Sequence, residues 1–325
     1  MEKHAYRWTV VAIAVPLVLA SGAAMAQAQT YPSKIVRLVS SAQPGSMPDT
    51  IGRFVADKLT VTLGGPVIVE PHPGAAGLTG GQYVARGNPD GYLIGVYTAS
   101  DTLAPLLNPG VLDPKELTPV ASVATVPTVL VVGAASRYKS FGDLVAAAKA
   151  QPGKIVVASA GFVTATHLTF ERFRTASGLI FLHVPFKGNV GAITALLAGR
   201  ADMYFAPVPA ALPLVKSGKV RTLAMGSPRR SALLPEVQTT LELGYPNSDY
   251  NFWIGISAPA KTPRPIVLRL NKAIDAAVAA PDMQERLLKA GAEPWTIGLA
   301  ELEAMVKNEL ESNARLIKTP GFKVE

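Results

Sequence analysis

Residues 40–49 read SSAQPGSMPD, and the segments on either side of this stretch decide the expected fold. The compact apolar run from Ile35 to Val39 precedes it and predicts a buried strand. After it, apolar residues recur at helical spacing from Ile51 to Leu59. A strand therefore ends here, a loop containing Gly45 turns, and a helix begins.

The first turn of that helix carries the signals of a helix N-terminus. Ser46 and Asp49 have the spacing of a capping box, and Pro48 stands where its missing N–H costs least. Free N–H groups and the positive end of the helix dipole then converge on the loop, which predicts an anion site. An ordinary turn between strand and helix, without a ligand, is the alternative.

Two further loops repeat this arrangement. A strand from Val67 to Glu70 leads into a loop at Gly74, and a strand from Leu93 to Thr98 leads into a polar loop at Ser100. This alternation of strands and helices predicts a parallel sheet with helices on its faces. Ligands of open α/β sheets bind outside the carboxyl ends of the strands, so the loops at Gly45, Gly74 and Ser100 are candidate binding loops.

A second alternating unit begins near Val129. The stretch from Val120 to Ala135 is interrupted by polar residues and Pro127, so it predicts two strands with a crossover instead of a membrane helix. The run from Phe252 to Ala258 predicts a strand that returns to the first sheet. The chain is therefore expected to form two α/β units.

Helix caps and one core residue are predicted within these units. Ser140 and Asp143 have capping-box spacing, while Thr164 and Asn189 each precede a helical pattern as candidate N-caps. Trp253 has apolar neighbours and is expected in the core instead of the cleft.

The first 26 residues predict a secretory signal peptide. Lys3 and Arg7 form a basic start, an apolar run from Val10 to Ala20 follows, and Ala24-Met25-Ala26 is a cleavage site. A membrane anchor is the less favoured alternative, because the apolar run is short. The protein is therefore expected in the periplasm.

Composition excludes several classes of function. The chain has 325 residues and no cysteine, so disulfides and thiol chemistry are excluded. A formal charge of +8 suits an anionic ligand, but no basic stripe with interleaved aromatic residues indicates nucleic-acid binding. The histidines lack metal-ligand spacing, and no glycine-rich nucleotide loop is present. No cofactor, metal or nucleic-acid partner is expected.

Several short motifs, taken in order, carry a resemblance to a known family. They are Pro89-Asp90-Gly91-Tyr92, Ser159-Ala160-Gly161 with His167-Leu168, His183 to Gly188, Leu196 to Gly199 with Asp202, Ser227 to Pro235, and Ala258-Pro259-Ala260 with Thr262-Pro263. Their order and spacing resemble those of the Bug-type periplasmic solute receptors of tripartite tricarboxylate transporters. The resemblance covers essentially the whole chain from Tyr31 onward.

This resemblance implies a two-lobed α/β fold of the type II periplasmic-binding-protein class. Each lobe would be a mainly parallel sheet flanked by helices, with a ligand cleft between the lobes. The first lobe is expected at residues 30–127 plus 250–325, and the second at 128–249, with hinge segments near 125–128 and 245–250. The family also implies a receptor, not an enzyme: a monomer that closes on a small organic acid and delivers it to integral-membrane transporter subunits.

The binding loops depart from the family pattern. Ser41-Ala42 replace the usual Pro-Phe, and Ser46 replaces the second glycine of the first loop. In the other lobe Phe162-Val163 replace Asn-Gly, and Ala206 replaces the customary aspartate. A drier, more aromatic cleft favours an apolar or aromatic carboxylate over an amino acid or a citrate-like ligand.

Candidate ligand-binding residues follow from the loops and the resemblance together. Lys187 would add a point charge or be a solvated loop lysine, and His167 would bind a ligand oxygen or be structural. The candidate set is Ser41, Gln43, Gly45, Ser46, Met47, Gly74, Ala75, Ala76, Ser100, Asp101, Ser159, Gly161, Phe162, Thr164, His167, Lys187, Gly188, Ala206 and Pro207.

Two other functions stay open. A receptor of this class would also serve as a carboxylate sensor without transport. Ser159 and His167 lie close in the sequence, so an exported serine hydrolase is the rival class, although no G-x-S-x-G elbow surrounds the serine.

Overall fold

The computed structural model describes residues 31–322, apart from the side chain of Ala76, so the predicted signal peptide lies outside the described residues. The strands are β1 (Val36–Ser40), β2 (Val67–Pro71), β3 (Leu93–Thr98), β4 (Leu117–Thr125), β5 (Thr128–Gly133), β6 (Val156–Ser159), β7 (Leu182–Pro185), β8 (Met203–Pro207), β9 (Val220–Met225), β10 (Trp253–Pro259) and β11 (Glu293–Pro294). The helices are α1 (Met47–Thr62), α2 (Leu78–Ala85), α3 (Ala104–Leu107), α4 (Phe141–Ala150), α5 (Ala165–Ser177), α6 (Gly188–Leu197), α7 (Val208–Lys216), α8 (Arg264–Ala279), α9 (Pro281–Ala290) and α10 (Leu299–Leu316).

The strands form two sheets, and each sheet is the centre of one lobe. The first lobe has a six-stranded sheet in the order β11-β4-β10-β3-β1-β2, and the second has a five-stranded sheet in the order β7-β6-β8-β5-β9. Helices α1, α8 and α9 pack on one face of the first sheet, and α2 and α10 pack on the other. In the second lobe α4 and α5 cover one face, and α6 and α7 the other. The predicted two-lobed α/β fold is confirmed.

Both sheets are mixed, because β10 in the first sheet and β5 in the second run antiparallel to both of their neighbours. Strand β1 pairs in parallel with β2 and β3, and β6 pairs in parallel with β7 and β8. Strand β10 is antiparallel to β3 and β4, while β5 is antiparallel to β8 and β9. The parallel part of each sheet therefore provides the aligned strand ends that the sequence predicted.

Burial on both faces explains the apolar runs. Val36 and Leu38 of β1 pack under α1, whereas Val39 packs on the opposite face with α2 and α10. Successive side chains of a strand point to opposite faces, so a sheet covered on both sides needs a continuous apolar strand. The predicted strand at residues 35–39 is confirmed with a one-residue shift.

The predicted caps have different outcomes. Both bonds of the Ser140–Asp143 capping box form, and Thr164 caps α5 by accepting a hydrogen bond from the His167 amide. The prediction for Asn189 is wrong, because α6 begins at Gly188 and the side-chain oxygen Oδ1 of Asn189 accepts from the Tyr204 hydroxyl. The capping box predicted at Ser46 is also wrong, since Ser46 is the N-cap residue but its side chain makes no capping bond.

Two chain crossings join the lobes and are hydrogen-bonded to each other. The Val126 amide, between β4 and β5, donates to the Phe252 carbonyl just before β10, at 2.8 Å. The Gly226 amide donates to the Thr128 carbonyl, and the Tyr250 amide donates to the Gly226 carbonyl, both at 2.9 Å. The crossings are therefore adjacent extended segments with paired backbones.

A third link between the lobes involves side chains of α5 and α10. The Arg172 guanidinium donates to the Ser312 hydroxyl at 2.9 Å and to the side-chain oxygen Oδ1 of Asn313 at 2.8 Å. The Asn313 amide nitrogen donates in turn to the Thr102 hydroxyl at 2.9 Å. No pattern in the sequence predicted this link, because its partners are about 140 residues apart.

Gly255 lies at the centre of β10, where the first sheet leaves no room for a side chain. A Cβ atom at this position would lie 2.5 Å from the carbonyl oxygen of Ala121 on β4, beside an irregularity in the β10–β4 register. Gly255→Ala is expected to lower the free energy of unfolding by about 2 kcal/mol or more, since a backbone carbonyl cannot move aside cheaply. Urea denaturation measures the change.

Gly133→Ala is the matched control, because its Cβ would meet only the Leu196 carbonyl oxygen at 3.6 Å. A change below about 0.5 kcal/mol is expected there. Equal losses for the two variants would contradict the steric explanation.

Trp253 lies in the core as predicted, 1% exposed, and its indole Nε1 donates to Glu309 Oε2 at 2.6 Å. Burial raises the pKa of Glu309 to about 7, although the Trp253 bond and the Arg172 charge oppose the shift. The folded state thus holds a proton that the unfolded state releases near the ordinary carboxyl pKa of 4.5. Stability should therefore fall as the pH rises between these two values.

Glu309→Gln is expected to remove roughly 3 kcal/mol of this pH-dependent change. Urea unfolding of the wild type and the variant, at intervals from about pH 5 to 8, gives the two profiles to subtract. Parallel profiles would contradict the assignment of the buried proton to Glu309.

Candidate functional site

The candidate site is a cleft between the two lobes with a volume of about 520 Å³. A cleft of this size suits a small organic molecule. Its lining residues are Ser41, Ala42, Gln43, Pro48, Pro73, Gly74, Ala75, Gly77, Thr98, Ser100, Asp101, Ala104, Phe162, Val163, Thr164, Ala165 and Phe252.

The first lobe contributes the loops after three neighbouring strands. Residues 41–43 follow β1, residues 73–77 follow β2, and residues 98–101 end β3. These strands are parallel and adjacent in the order β3-β1-β2, so their carboxyl ends meet at one edge of the sheet. The prediction that the loops at Gly74 and Ser100 lie together is confirmed.

The loop after β2 approaches its neighbours too closely for side chains at one position. Gly77 has a φ of 99°, and a Cβ atom there would lie 3.1 Å from Asp101 Oδ1 and 3.6 Å from the Ser41 hydroxyl. Glycine is therefore required both by the backbone conformation and by the space. This close approach brings Ser41 and Asp101 to the same corner of the cleft.

The second lobe contributes the N-terminus of α5. Val163 and Thr164 line the cleft just before the helix, and Ala165 is its first residue. The Thr164 hydroxyl donates to the Gly161 carbonyl at 2.7 Å, and the Val163 amide donates to His167 Nδ1 at 3.1 Å. The first N–H groups of a helix lack intrahelical acceptors, so this end presents donors and a positive partial charge to the cleft.

Aromatic rings from both sides give the cleft apolar walls. Phe162 packs edge-on against His167 and His183, with ring centroids 5.5 Å apart in each case. Phe252 reaches the cleft from the chain crossing before β10. Phe162 is thus one of the residues that line the cleft.

Asp101 is the one ionisable side chain among the described residues that line the cleft. It is 5% exposed, and its Oδ2 accepts hydrogen bonds from the Thr98 amide and the Thr98 hydroxyl, both at 2.7 Å. Burial raises the pKa of Asp101 to about 6, although the Thr98 bonds oppose the shift. The cleft therefore offers no cationic side chain to a ligand, only dipoles, hydroxyl groups and one carboxyl group.

Of the candidate residues from the sequence, a first group lies in this cleft. These residues are Ser41, Gln43, Gly74, Ala75, Ser100, Asp101, Phe162 and Thr164. The backbone of Ala76 belongs to the same loop, in a 3₁₀ turn over Ala75–Gly77. A second group lies outside the lining: Gly45, Ser46, Met47, Ser159, Gly161, His167, Lys187, Gly188, Ala206 and Pro207.

The anion site predicted at the start of α1 is filled by a side chain of the helix itself. Asp49 Oδ2 accepts a hydrogen bond from the Gly45 amide at 2.9 Å and one from Arg53 Nε at 3.0 Å. Gly45 borders a separate cavity with Asp49 and Arg53. Ser46 and Met47 are on the same turn and are not among the residues that line the cleft. The prediction of a free anion site at Gly45 is corrected, because the Asp49 carboxylate already accepts from the Gly45 amide.

Four further candidates of the second lobe do not line the cleft: Lys187, Gly188, Ala206 and Pro207. Ala206 is 1% exposed within β8, and Pro207 ends that strand opposite Thr128 of β5. Lys187 is an exposed residue preceding α6, and Gly188 is the first residue of that helix. The loops after β7 and β8 therefore do not reach the cleft that α5 borders.

Ser159 and His167, the pair of the rival hydrolase hypothesis, do not contact each other as a catalytic pair. The Ser159 hydroxyl lies 2.7 Å from His183 Nε2 and is fully buried, and it also accepts from the Gly161 amide. His167 is fully buried, and burial lowers its pKa to about 3. The structural role suggested for His167 thus agrees with its position under the cleft wall.

Lining residues that sequence reasoning missed are mostly neighbours of predicted ones. They are Ala42, Pro48, Pro73, Gly77, Thr98, Ala104, Val163, Ala165 and Phe252. Phe252 carried no signal, because it reaches the cleft only through the crossing of the chain between lobes.

Among the described residues, no cluster of His, Asp or Glu side chains could hold a metal ion. No helix in the described part of the chain has the length and apolar character to cross a membrane.

Comparison with known proteins agrees with this architecture. A family model described as "Tripartite tricarboxylate transporter family receptor" matches residues 51–322. Protein BugT of Bordetella pertussis is 31% identical over 319 residues, covering 96% of this chain and 97% of BugT. The solved periplasmic binding protein BugD is 32% identical with a TM-score of 0.68, covering 90% of this chain and 99% of that one.

Two similar solved structures contain small dicarboxylates. Rpa4515 of R. palustris, solved with adipate, is 27% identical with a TM-score of 0.71, covering 89% of this chain and 97% of that one. MatC of Rhodopseudomonas palustris, solved with bound malate, is 27% identical with a TM-score of 0.68, covering 88% of this chain and all of that one. With its two mixed sheets and a cleft at their strand ends, this chain belongs to the tripartite tricarboxylate transporter receptor family.

Proposed function

We propose that this protein is a periplasmic receptor that binds a small carboxylate with an apolar or aromatic body, by closure of its two lobes. The observation that carries the proposal is the composition of the cleft. It combines the N-terminus of α5 and several hydroxyl groups with the apolar surfaces of Phe162, Val163 and Phe252. Family membership supports a solute receptor, and the adipate and malate of two relatives support an organic acid.

The electrostatics of the cleft favour one carboxylate over several. A single carboxylate accepts hydrogen bonds from backbone N–H groups at the start of α5 and from hydroxyls such as those of Ser41 and Ser100. Each additional carboxylate would lose its hydration without meeting a cationic side chain. The aromatic walls would instead cover the apolar body of an aromatic acid.

Closure is proposed to occur about the predicted hinge segments near residues 125–128 and 245–250, the second of which continues to Phe252 along the paired crossings. The second lobe, residues 128–249, would rotate relative to residues 30–127 plus 250–325. The bond between the Val126 amide and the Phe252 carbonyl lies in these crossings, so only a few backbone angles need to change. The closed receptor would then deliver its ligand to integral-membrane transporter subunits, and the predicted signal peptide at residues 1–26 would export it.

The acid preference is tested by titration calorimetry with 3-phenylpropionate, citrate, adipate and malate. We expect 3-phenylpropionate to bind at least about tenfold more tightly than citrate, because citrate buries more unpaired charge. Small-angle X-ray scattering with the bound acid should show a smaller radius of gyration, as lobe closure requires. Tighter binding of citrate would contradict the aromatic preference, and no binding of any of the acids would overturn the proposed function.

Phe162→Ala tests whether the aromatic wall contacts the ligand. The affinity for 3-phenylpropionate is expected to fall about tenfold or more, because the phenyl ring of the ligand loses its contact with the Phe162 side chain. Phe54→Ala is the matched control, since Phe54 packs under Arg286 on the outside of the first lobe. If Phe162→Ala instead binds the acid more tightly, the ring occupies ligand space and the assignment is wrong.

A further inference from the structure

The carboxyl group of Asp101 creates a problem for any carboxylate in this cleft. Among the described lining residues it is the one ionisable group, and no lysine, arginine or histidine side chain lines the cleft beside it. An ionised ligand would therefore meet a like charge without an opposite charge nearby. We propose that Asp101 takes up a proton when the cleft binds a carboxylate, so that capture of the acid is coupled to proton uptake. This inference rests on the function proposed above.

The geometry leaves one oxygen of Asp101 available for this role. Oδ2 is committed to Thr98, whose amide and hydroxyl both donate to it at 2.7 Å. Oδ1 lies at the corner between Gly77 and Ser41, where a Cβ on Gly77 would come within 3.1 Å of it. A proton on Oδ1 would convert this oxygen from an acceptor, which repels a carboxylate, into a donor to it.

Among the described residues, no charged group that would neutralise Asp101 faces it directly. Tyr97 of β3 and Tyr250 of the chain crossing face it, and burial raises the pKa of both phenols, so both are neutral. Across the cleft His167 is neutral as well, because burial lowers its pKa. The 3₁₀ turn over Ala75–Gly77 and α3 (Ala104–Leu107) contain no titratable residue.

Two charged groups lie behind the tyrosines. Glu309 of α10 interacts electrostatically with both Tyr97 and Tyr250, and Arg172 of α5 with Tyr250. The Arg172 guanidinium is held by Ser312 and Asn313, so it is not directed at Asp101. Glu309 titrates near neutrality and must be tested separately, because it could also contribute to a pH-dependent affinity.

The direction of the pH dependence follows from linkage. Burial already raises the pKa of the free Asp101 carboxyl to about 6, and a carboxylate bound beside Oδ1 raises it further. Below about pH 6 the free protein already carries the proton on Asp101, so the affinity for the ligand is constant in that range. Above it, binding takes up a proton, and the association constant should fall up to about tenfold per pH unit until the pKa of the complex is reached.

The test is calorimetric titration with 3-phenylpropionate from about pH 5.5 to 8.5, in pairs of buffers with different ionisation enthalpies. We expect uptake of close to one proton per ligand near about pH 7.5, and a falling affinity above about pH 6. Asp101→Asn keeps an acceptor for Thr98 and presents a permanent donor at the Oδ1 position. It should bind with an affinity near that of the wild type at low pH, without pH dependence or proton uptake.

Two control variants separate Asp101 from other carboxylates. Thr98 and Asp101 form a capping box like that of Ser140 and Asp143. Asp143 is exposed and does not line the cleft, so Asp143→Asn should keep the wild-type pH dependence. Glu309→Gln should keep it as well. The ¹³C chemical shift of the Asp101 carboxyl in the wild type gives a reading that needs no variant: its pKa should rise when the acid binds.

Several results would overturn the inference while leaving the proposed function intact. These are pH-independent binding of 3-phenylpropionate without proton uptake, pH dependence that persists in Asp101→Asn, or pH dependence that Glu309→Gln abolishes. Tighter binding of L-phenylalanine than of 3-phenylpropionate would also overturn it, since the two differ only by an ammonium group that would pair with an ionised Asp101. A cleft that binds no carboxylate at any pH would overturn the proposed function as well.

Discussion

The arrangement of the two lobes depends on the backbone pairing of the chain crossings, which includes the hydrogen bond from the Val126 amide to the Phe252 carbonyl. It sets the crossings side by side, so β4 and β10 pair in the first sheet while β5 and β9 pair in the second. Phe252 then faces the cleft, and the next residue, Trp253, is buried in the core. The cleft, its aromatic wall and the chain crossings therefore belong to the same local arrangement.

Helix α5 connects the second lobe to both the cleft and the C-terminal part of the chain. Its first turn borders the cleft, and Leu168 packs in a cluster with Tyr250, Trp253 and Leu302 of the first lobe. Further along, Arg172 bonds to Ser312 and Asn313 of α10. Under the proposed function, a ligand at the start of α5 would therefore contact an element that already touches the opposite lobe.

The local elements could be predicted because their causes lie within a few residues. The Ser140–Asp143 capping box, the Thr164 cap and the strand at Trp253 each follow from neighbours in the sequence. Errors arose where a local signal met a competing partner. Asp49 bonds to Gly45 and Arg53 instead of completing the capping box, and Asn189 of α6 bonds to Tyr204 of β8. The candidate site was predictable in its first-lobe loops, where three parallel strands end together.

By itself, the sequence determined the order of strands and helices, the two α/β units, and the loops at Gly74 and Ser100, since periodicity and turn residues act over short distances. Only the tertiary structure decided which loops of the second lobe reach the cleft: that of α5 does, whereas those at Lys187 and Ala206 do not. It also decided that Asp101 stands in the cleft without a cationic neighbour. Both outcomes depend on which loops of the two lobes meet, and contacts between residues far apart in the chain, such as Arg172 with Ser312 and Asn313, bring those loops together.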